Sequence, residues 1–252
     1  SGAYATTTGG CLNVTSGRVA ATTGGVWNYS NNVASVVSGG IGNNTTAGTW
    51  NVVSCSFTGS PTVCTAGCAS FIGSGFQNAV PGNMSVVSGG CKNLAQAFFG
   101  TVGGGICNNV CNSTSGCLAI GATVTGGIGN NTFGGTWSLA GCAFTVAPTM
   151  CAAGAVSFVG GGFQNSASAC YTVITGGKSN TASGIYSAVL GGKSNTTAGC
   201  ADAMIVGSNI TANRVCTTFV NNLSIMNLPT SATGLPTGAA VSYTHLTLPT
   251  IL

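Results

Sequence analysis

The sequence has 252 residues, of which 42 are Gly and 13 Cys; only 2% are charged, with five Lys or Arg, one Asp or Glu, and one His. Acid–base catalysis, metal binding and phosphate clamping draw on the side chains this chain nearly lacks, so an enzyme is not expected and no cofactor is called for. A net charge of +4 on so few groups makes no basic stripe for nucleic acid, and Gly, Ser, Thr or Asn breaks every apolar run before it could span a membrane.

In chain order, the dominant signal is a tandem repeat. The unit Gly-Gly-x-x-Asn starts at Gly9, Gly24 and Gly39, in steps of 15 residues. A step of 35 leads to Ser74, steps of 15 to Gly89 and Gly104, a step of 22 to Gly126, a second of 35 to Gly161, and steps of 15 to Gly176 and Gly191. Two residues ahead of the successive motifs stand Thr7, Thr22, Val37, Ile72, Val87, Val102, Val124, Val159, Ile174 and Val189, and then Met204. One mostly β-branched residue per unit, flanked by small polar ones, is the pattern of a short strand with one buried face. A second, small inward place follows the Asn at Ala95, Ala167 and Ala182. Two short strands per coil of ~15 residues predict an all-β, parallel β-solenoid with almost no helix. Both motif glycines are expected at tight corners with no room for a Cβ. The Asn (Asn43, Asn93, Asn165, Asn180 and Asn195 among them) is expected to stack from coil to coil and satisfy turn backbone.

The two long steps are copies of one module. Residues 39–78 align with 126–165 at an offset of 87, with 25 of 40 positions identical, and the matches include Trp50 with Trp137, Phe57 with Phe144, Pro61 with Pro148 and Gln77 with Gln164. Each copy carries an insertion, at residues 49–70 and 136–157.

The units Thr175-Gly176-Gly177-Lys178-Ser179-Asn180 and Leu190-Gly191-Gly192-Lys193-Ser194-Asn195 resemble head repeats of YadA-type trimeric autotransporter adhesins, and equally repeats of phage and giant-virus fibre proteins. The resemblance covers residues 1–210. It implies a left-handed parallel β-roll, a homotrimer, and an extracellular place on a virion or cell surface. The cysteine-bearing insertions depart from the family pattern. Residues 211–239, with Thr218-Phe219-Val220-Asn221-Asn222 and Gly234-Leu235-Pro236, resemble the segment that follows the repeats in viral fibres; no heptads of an adhesin stalk appear, which favours a virion fibre over a bacterial adhesin head. Residues 240–252, including His245, look like translated adaptor sequence and are set aside, and the opening Ser1-Gly2-Ala3, without initiator Met or leader, reads as a fragment or mature piece.

The remaining chemistry is sparse. Cys55 and Cys64 recur at the same spacing as Cys142 and Cys151; a disulfide closing each insertion would stabilise it by up to ~2–3 kcal/mol, and free thiols are the alternative. Cys111 and Cys117 form a weaker pair. Cys170 and Cys200, two coils apart, lie beyond disulfide reach of each other and read as small fillers. The pairs Cys64/Cys68 and Cys107/Cys111 lack the His of a mixed zinc site. Asp202, the sole acid, aligns with Ser35, Ser85 and Ser187 as a solvent-facing substitution, and the Gly-Lys-Ser triplets at 177–179 and 192–194 lack the earlier Gly of a phosphate loop. Several glycosylation sequons, at Asn44, Asn195 and Asn209 among others, follow from composition. Trp50, Phe57, Trp137 and Phe144 either contact a host-surface glycan or protein or pack the insertions onto the coils. An ice-binding solenoid would need an unbroken Thr ladder, which Thr6/Thr8 and Thr123/Thr125 do not make. A polysaccharide-cleaving solenoid would need paired carboxylates.

Overall fold

A computed structural model describes residues 2–111, 119–141 and 143–223. The chain divides into two compact units, 1–221 and 222–252; the first carries the solenoid. Its regular structure among the described residues is entirely β.

Twelve strands of two or three residues form one sheet, paired in parallel along its length. The pairing follows the repeat: Val86–Val87 lies on Phe71–Ile72 and Thr101–Val102, and the 35-residue steps leave it unbroken, as Val36–Val37 pairs with Phe71–Ile72 and Thr123–Val124 with Phe158–Val159. Across the core runs a second, interrupted line of strands, such as Leu94–Ala95 on Asn109–Val110 and Ser166–Ala167 on Thr181–Ala182. A third line of single bridges stacks the residue after each second Gly, from Cys11 through Val26, Ile41 and Phe76 to Lys193.

The alternation read from the sequence sets the core. Val37, Ile72, Val87, Val102, Val124, Val159, Ile174 and Val189 are fully buried, and Ala95, Ala167 and Ala182 face them. Each such Val or Ile contributes about 1.5–3 kcal/mol by leaving water. The first coils replace this with hydroxyls. Thr15 donates to Thr22 Oγ1 (2.8 Å), Thr22 to Ser30 Oγ (3.0 Å) and Ser30 to Ala21 O (2.9 Å), so the inward Thr residues form a satisfied chain in place of apolar contact.

Three expectations are corrected. Ala188 and Val189 pair with Met204 and Ile205, a step of sixteen; Ile205 is therefore the buried residue and Met204 points outward, 41% exposed. The same extra residue moves Asp202 to an exposed corner at φ 52° and puts Ala203 in the serine place. The coils also extend past 210, because Thr218–Val220 adds the twelfth strand on Met204–Val206.

Corners explain the motif. The second Gly of each unit has positive φ, as in Gly90 at 86° and Gly177 at 92°, and a Cβ there would lie inside 3.0 Å of the next coil's backbone. The first Gly is different: at Gly9, Gly24, Gly39, Gly126 and Gly176 a Cβ would meet nothing within 4 Å. The second glycine is sterically required in every unit, whereas the first is held to glycine only where its own φ is positive, as at Gly191 (105°), which is why Ser74 can replace a first one.

Between these corners the Asn side chains form a continuous ladder. Asn93 donates from Nδ2 to Gly89 O and Gly105 O, both at 2.9 Å, and accepts the Asn108 N–H on Oδ1 at 2.9 Å. The same three bonds recur from Asn28 to Asn195.

Among the described residues one buried hydroxyl is left over. Ser70 Oγ has no hydrogen-bond partner, whereas Ser85 and Ser187 in equivalent places donate to Gly82 O and Gly184 O, both at 2.6 Å. An unpaired buried hydroxyl costs about 1–3 kcal/mol. Ser70→Ala is therefore expected to raise the unfolding midpoint and Ser85→Ala to lower it, by thermal denaturation.

Candidate functional site: the groove between the insertions

Each insertion leaves the coil just after an Asn of the ladder. The first is an antiparallel excursion in which Thr45–Thr46 pairs with Thr62–Val63 and Trp50–Asn51 with Ser56–Phe57. The second repeats it with Thr132–Phe133 on Thr149–Met150 and Thr136–Ser138 on Ala143–Val146. The excursions thus begin at Thr45 and Thr132, four residues earlier than expected. They also end sooner: the Ala69 N–H already bonds Val33 O and the Gly154 N–H bonds Ala167 O in coil fashion.

Asn44 and Asn131, both at positive φ, turn the chain out of the coil and cover the gap it leaves. Asn44 donates to Tyr29 O (2.7 Å) and accepts from Val80 N–H (3.0 Å); Asn131 donates to Asn109 O (3.0 Å) and accepts from Ala167 N–H (2.9 Å). Gln77 and Gln164, the copied pair without a sequence role, tie the excursions back by donating to Ala47 O and Gly134 O.

The four aromatic residues hold each excursion to the coils. Phe57 meets Trp50 edge-on at 5.1 Å and Trp27 at 6.2 Å, and stacks on Phe76 at 6.3 Å. Phe144 meets Trp137 at 5.1 Å and stacks on Phe163 at 6.4 Å. All four are half-buried, so the packing reading accounts for their placement. Highly exposed apolar residues sit instead at the tips: Val52 at 79%, Val53 at 96% and Leu139 at 83%. Their signal was an apolar residue in the short turn between the paired aromatic strands.

The expected hairpin disulfide is absent, because Cys55 and Cys64 are free. Cys55 sits in the tip beyond the Asn51–Ser56 pair, while the Cys64 N–H bonds Asn44 O at the stem (2.8 Å); equal spacing in sequence put them at opposite ends of the excursion. Cys151 occupies the matching stem place, is free, and bonds Asn131 O through its N–H. Cys142 lies outside the described residues, as do Cys117 and His245. Cys111 is buried and free, and Cys170, 6% exposed, is disulfide-bonded rather than a filler.

Burial pushes the Cys91, Cys107, Cys111 and Cys151 thiols above the ordinary value. Cys91 adds to the rise at Cys107, and Lys92 opposes it at both. These thiols stay protonated at neutral pH and make weak nucleophiles. Among the described residues no three His, Cys, Asp or Glu side chains gather as a metal site, and no helix there is long and apolar enough to cross a membrane. Asn44 and Asn195 are buried with their amides hydrogen-bonded, so those sequons are closed to glycosylation in the folded chain.

The two excursions stand four coils apart on one side of the solenoid, about 19 Å at ~4.8 Å per coil. Between them lies a groove of about 350 Å³. Thr46, Ala47 and Gly48 form one wall; Ala147, Pro148 and Met150 form the other. Its floor is built by the intervening coils, with Gln77, Lys92 and Cys107 along the corner and Ala79, Leu94 and Asn109 along the interrupted sheet. No protein-family model matches the sequence, and no curated protein matches it.

Proposed function

We propose that the chain is a non-catalytic attachment shaft, a virion fibre or surface adhesin, whose insertions make lateral contacts. The observation that carries this reading is the division of labour between the faces. The long sheet runs through all twelve strands without an excursion, and both copied excursions emerge on the opposite, interrupted side. A coil column needs only its Val, Gly and Asn places, so the tips are free to specify a partner. Val52, Val53 and Leu139 are the residues that would touch a host-surface protein or glycan, with the aromatic pairs beneath them as support.

The uninterrupted face suits self-association as a homotrimer. Its outward residues include Val36, Phe71, Val86, Phe158, Val173 and Met204, with Phe71 38% and Met204 41% exposed. Burying such a face between copies contributes about 25 cal/mol per Å². Light scattering is expected to give about three times the 24.4 kDa chain mass, and Val86→Lys with Val173→Lys is expected to release folded monomers. A monodisperse wild-type monomer removes the trimer.

Function is tested by excising residues 46–62 and 133–149, which joins stem partners already paired across each excursion. The shortened chain should keep its β circular dichroism and lose at least about tenfold in binding to cells that the labelled full chain coats, the scale of one or two lost anchors. Unchanged binding would confine the insertions to a structural role.

A further inference from the structure

The groove between the excursions has an unusual polar account. Asn93 spends its amide on Gly89 O and Gly105 O, Asn108 on Gly104 O and Gly127 O, and Asn109 on Asn131 O and Cys151 O. Gln77 donates to Ala47 O, and the Thr45 and Thr132 hydroxyls donate to Gly42 O and Gly129 O. The charged donor left uncommitted is the exposed Lys92 ammonium, which has no hydrogen-bond or ion-pair partner among the described residues; beside it the Thr46 hydroxyl, which only accepts from Cys64 Sγ, and Gln77 Oε1 are the neutral groups still open. The sole acid of the sequence, Asp202, belongs to a coil outside the groove.

The duplicated copy supplies a control within the same molecule. Beside the second excursion, a recess of about 360 Å³ is lined by Ser166, Ser179 and Thr181. These stand 87 residues after Ala79, Lys92 and Leu94. The frame is the same, with Gln164 clipping the excursion as Gln77 does. One recess has hydroxyls; the other, closed at both ends by excursions, has two apolar residues and one cation.

We propose that the groove binds an amphiphilic monocarboxylate, with a saturated chain along Ala79, Leu94, Pro148 and Met150 and the carboxylate at Lys92. Its volume lies at the lower end of the ~300–1,000 Å³ of small-molecule sites, a size for decanoate or dodecanoate. An extended peptide or a sugar would bring backbone or hydroxyl groups needing partners at every residue, and beside Lys92 the lining offers little more than the Thr46 hydroxyl and Gln77 Oε1 to meet them. A hydrocarbon chain needs none, and the one charge it carries meets the one unpaired charge present.

The test is isothermal titration of the full chain with dodecanoate, dodecyltrimethylammonium and acetate, each below micelle formation. Dodecanoate is expected to bind one per groove, the cationic amphiphile at least about tenfold more weakly, and acetate not measurably. Lys92→Gln, a change at an exposed side chain, should weaken dodecanoate about fivefold, the scale of one exposed charge pair. The triple change Ala79→Ser, Lys92→Ser and Leu94→Thr copies the floor that the fold already accepts 87 residues later, and should abolish binding without altering circular dichroism. No dodecanoate binding, equal binding of the cation, or unchanged affinity in either variant overturns the proposal.

Discussion

Gly177→Ala is expected to destabilise the solenoid by about 3–5 kcal/mol, while Gly176→Ala, one residue earlier, changes stability by less than about 1 kcal/mol and in the stabilising direction. Left-handed backbone alone does not produce the difference. Leu12, Trp27, Lys92 and Ser179 all sit at φ between 55° and 58°, as does buried Asn44 at 57°, so this chain tolerates side chains in that region wherever there is room for the Cβ. What separates Gly177 is that its Cβ would lie inside 3.0 Å of Gly192 O and of the Asn180 amide nitrogen. Relief requires parting two coils, which disturbs the ladder on both sides. At Gly176 the added methyl meets nothing within 4 Å, and the unfolded chain loses entropy. Chemical denaturation of the two variants side by side checks the claim; equal losses would mean that the coils separate easily.

A loss of similar size, about 3–5 kcal/mol, is expected for Asn165→Ala. The fully buried side chain donates to Gly161 O (2.8 Å) and Gly177 O (2.9 Å) and accepts the Asn180 N–H (3.0 Å). Gly177 O keeps the Phe163 N–H at 2.9 Å, but the buried Asn180 N–H and the half-buried Gly161 O lose these partners, and each such group costs about 1–3 kcal/mol where water cannot replace the bond. Asn165→Asp separates donor from acceptor: it keeps the acceptor but sets a buried carboxylate against two carbonyls. Its folded-state pKa is therefore raised, the folded state binds the proton more tightly than the unfolded chain, and stability should recover as pH falls through that pKa. Urea midpoints of the two variants at neutral and acidic pH read this directly; an acid-insensitive Asp variant would place the Asn in contact with solvent.

The sequence disclosed the coil because its two signals, a buried β-branched place and a corner motif, repeat at one period, so that an error in one coil is corrected by its neighbours. Where the period slips by a residue, as between Val189 and Ile205, that averaging misleads, and Met204 and Asp202 were put one place off. The steric asymmetry of the two glycines was hidden for a related reason: Gly-Gly is a single word in sequence, and only the direction of each Cβ distinguishes its halves. The insertions were legible as copied units, and their aromatic pairs as special. Cys55 and Cys64 were misread because spacing along a chain does not say which residue lies at a tip and which at a stem. The groove was invisible, since Lys92 and Leu94 belong to ordinary coils and acquire walls only when two excursions far apart in sequence are raised on the same side.

Most coils turn through two left-handed non-glycine corners, such as Gln164 with Tyr171 and Ser179 with Tyr186, each costing of order 1–2 kcal/mol in an isolated chain. A solitary coil is thus an unfavourable object, and the cost is offset only on a finished neighbour, where the ladder bonds form and rings such as Tyr171 and Tyr186 stack at 5.1 Å. Assembly should therefore resemble crystal growth on a face: a scarce nucleus of a few coils, then addition of one coil at a time. The loop to be closed at each addition is short except at the two 35-residue steps, where its entropy rises by under about 1 kcal/mol and the excursion must also fold. Growth should pause at those two steps, so a chain interrupted during folding would end in a blunt, templating edge at Val36–Val37 or at Thr123–Val124, the strands on which the next coil is laid.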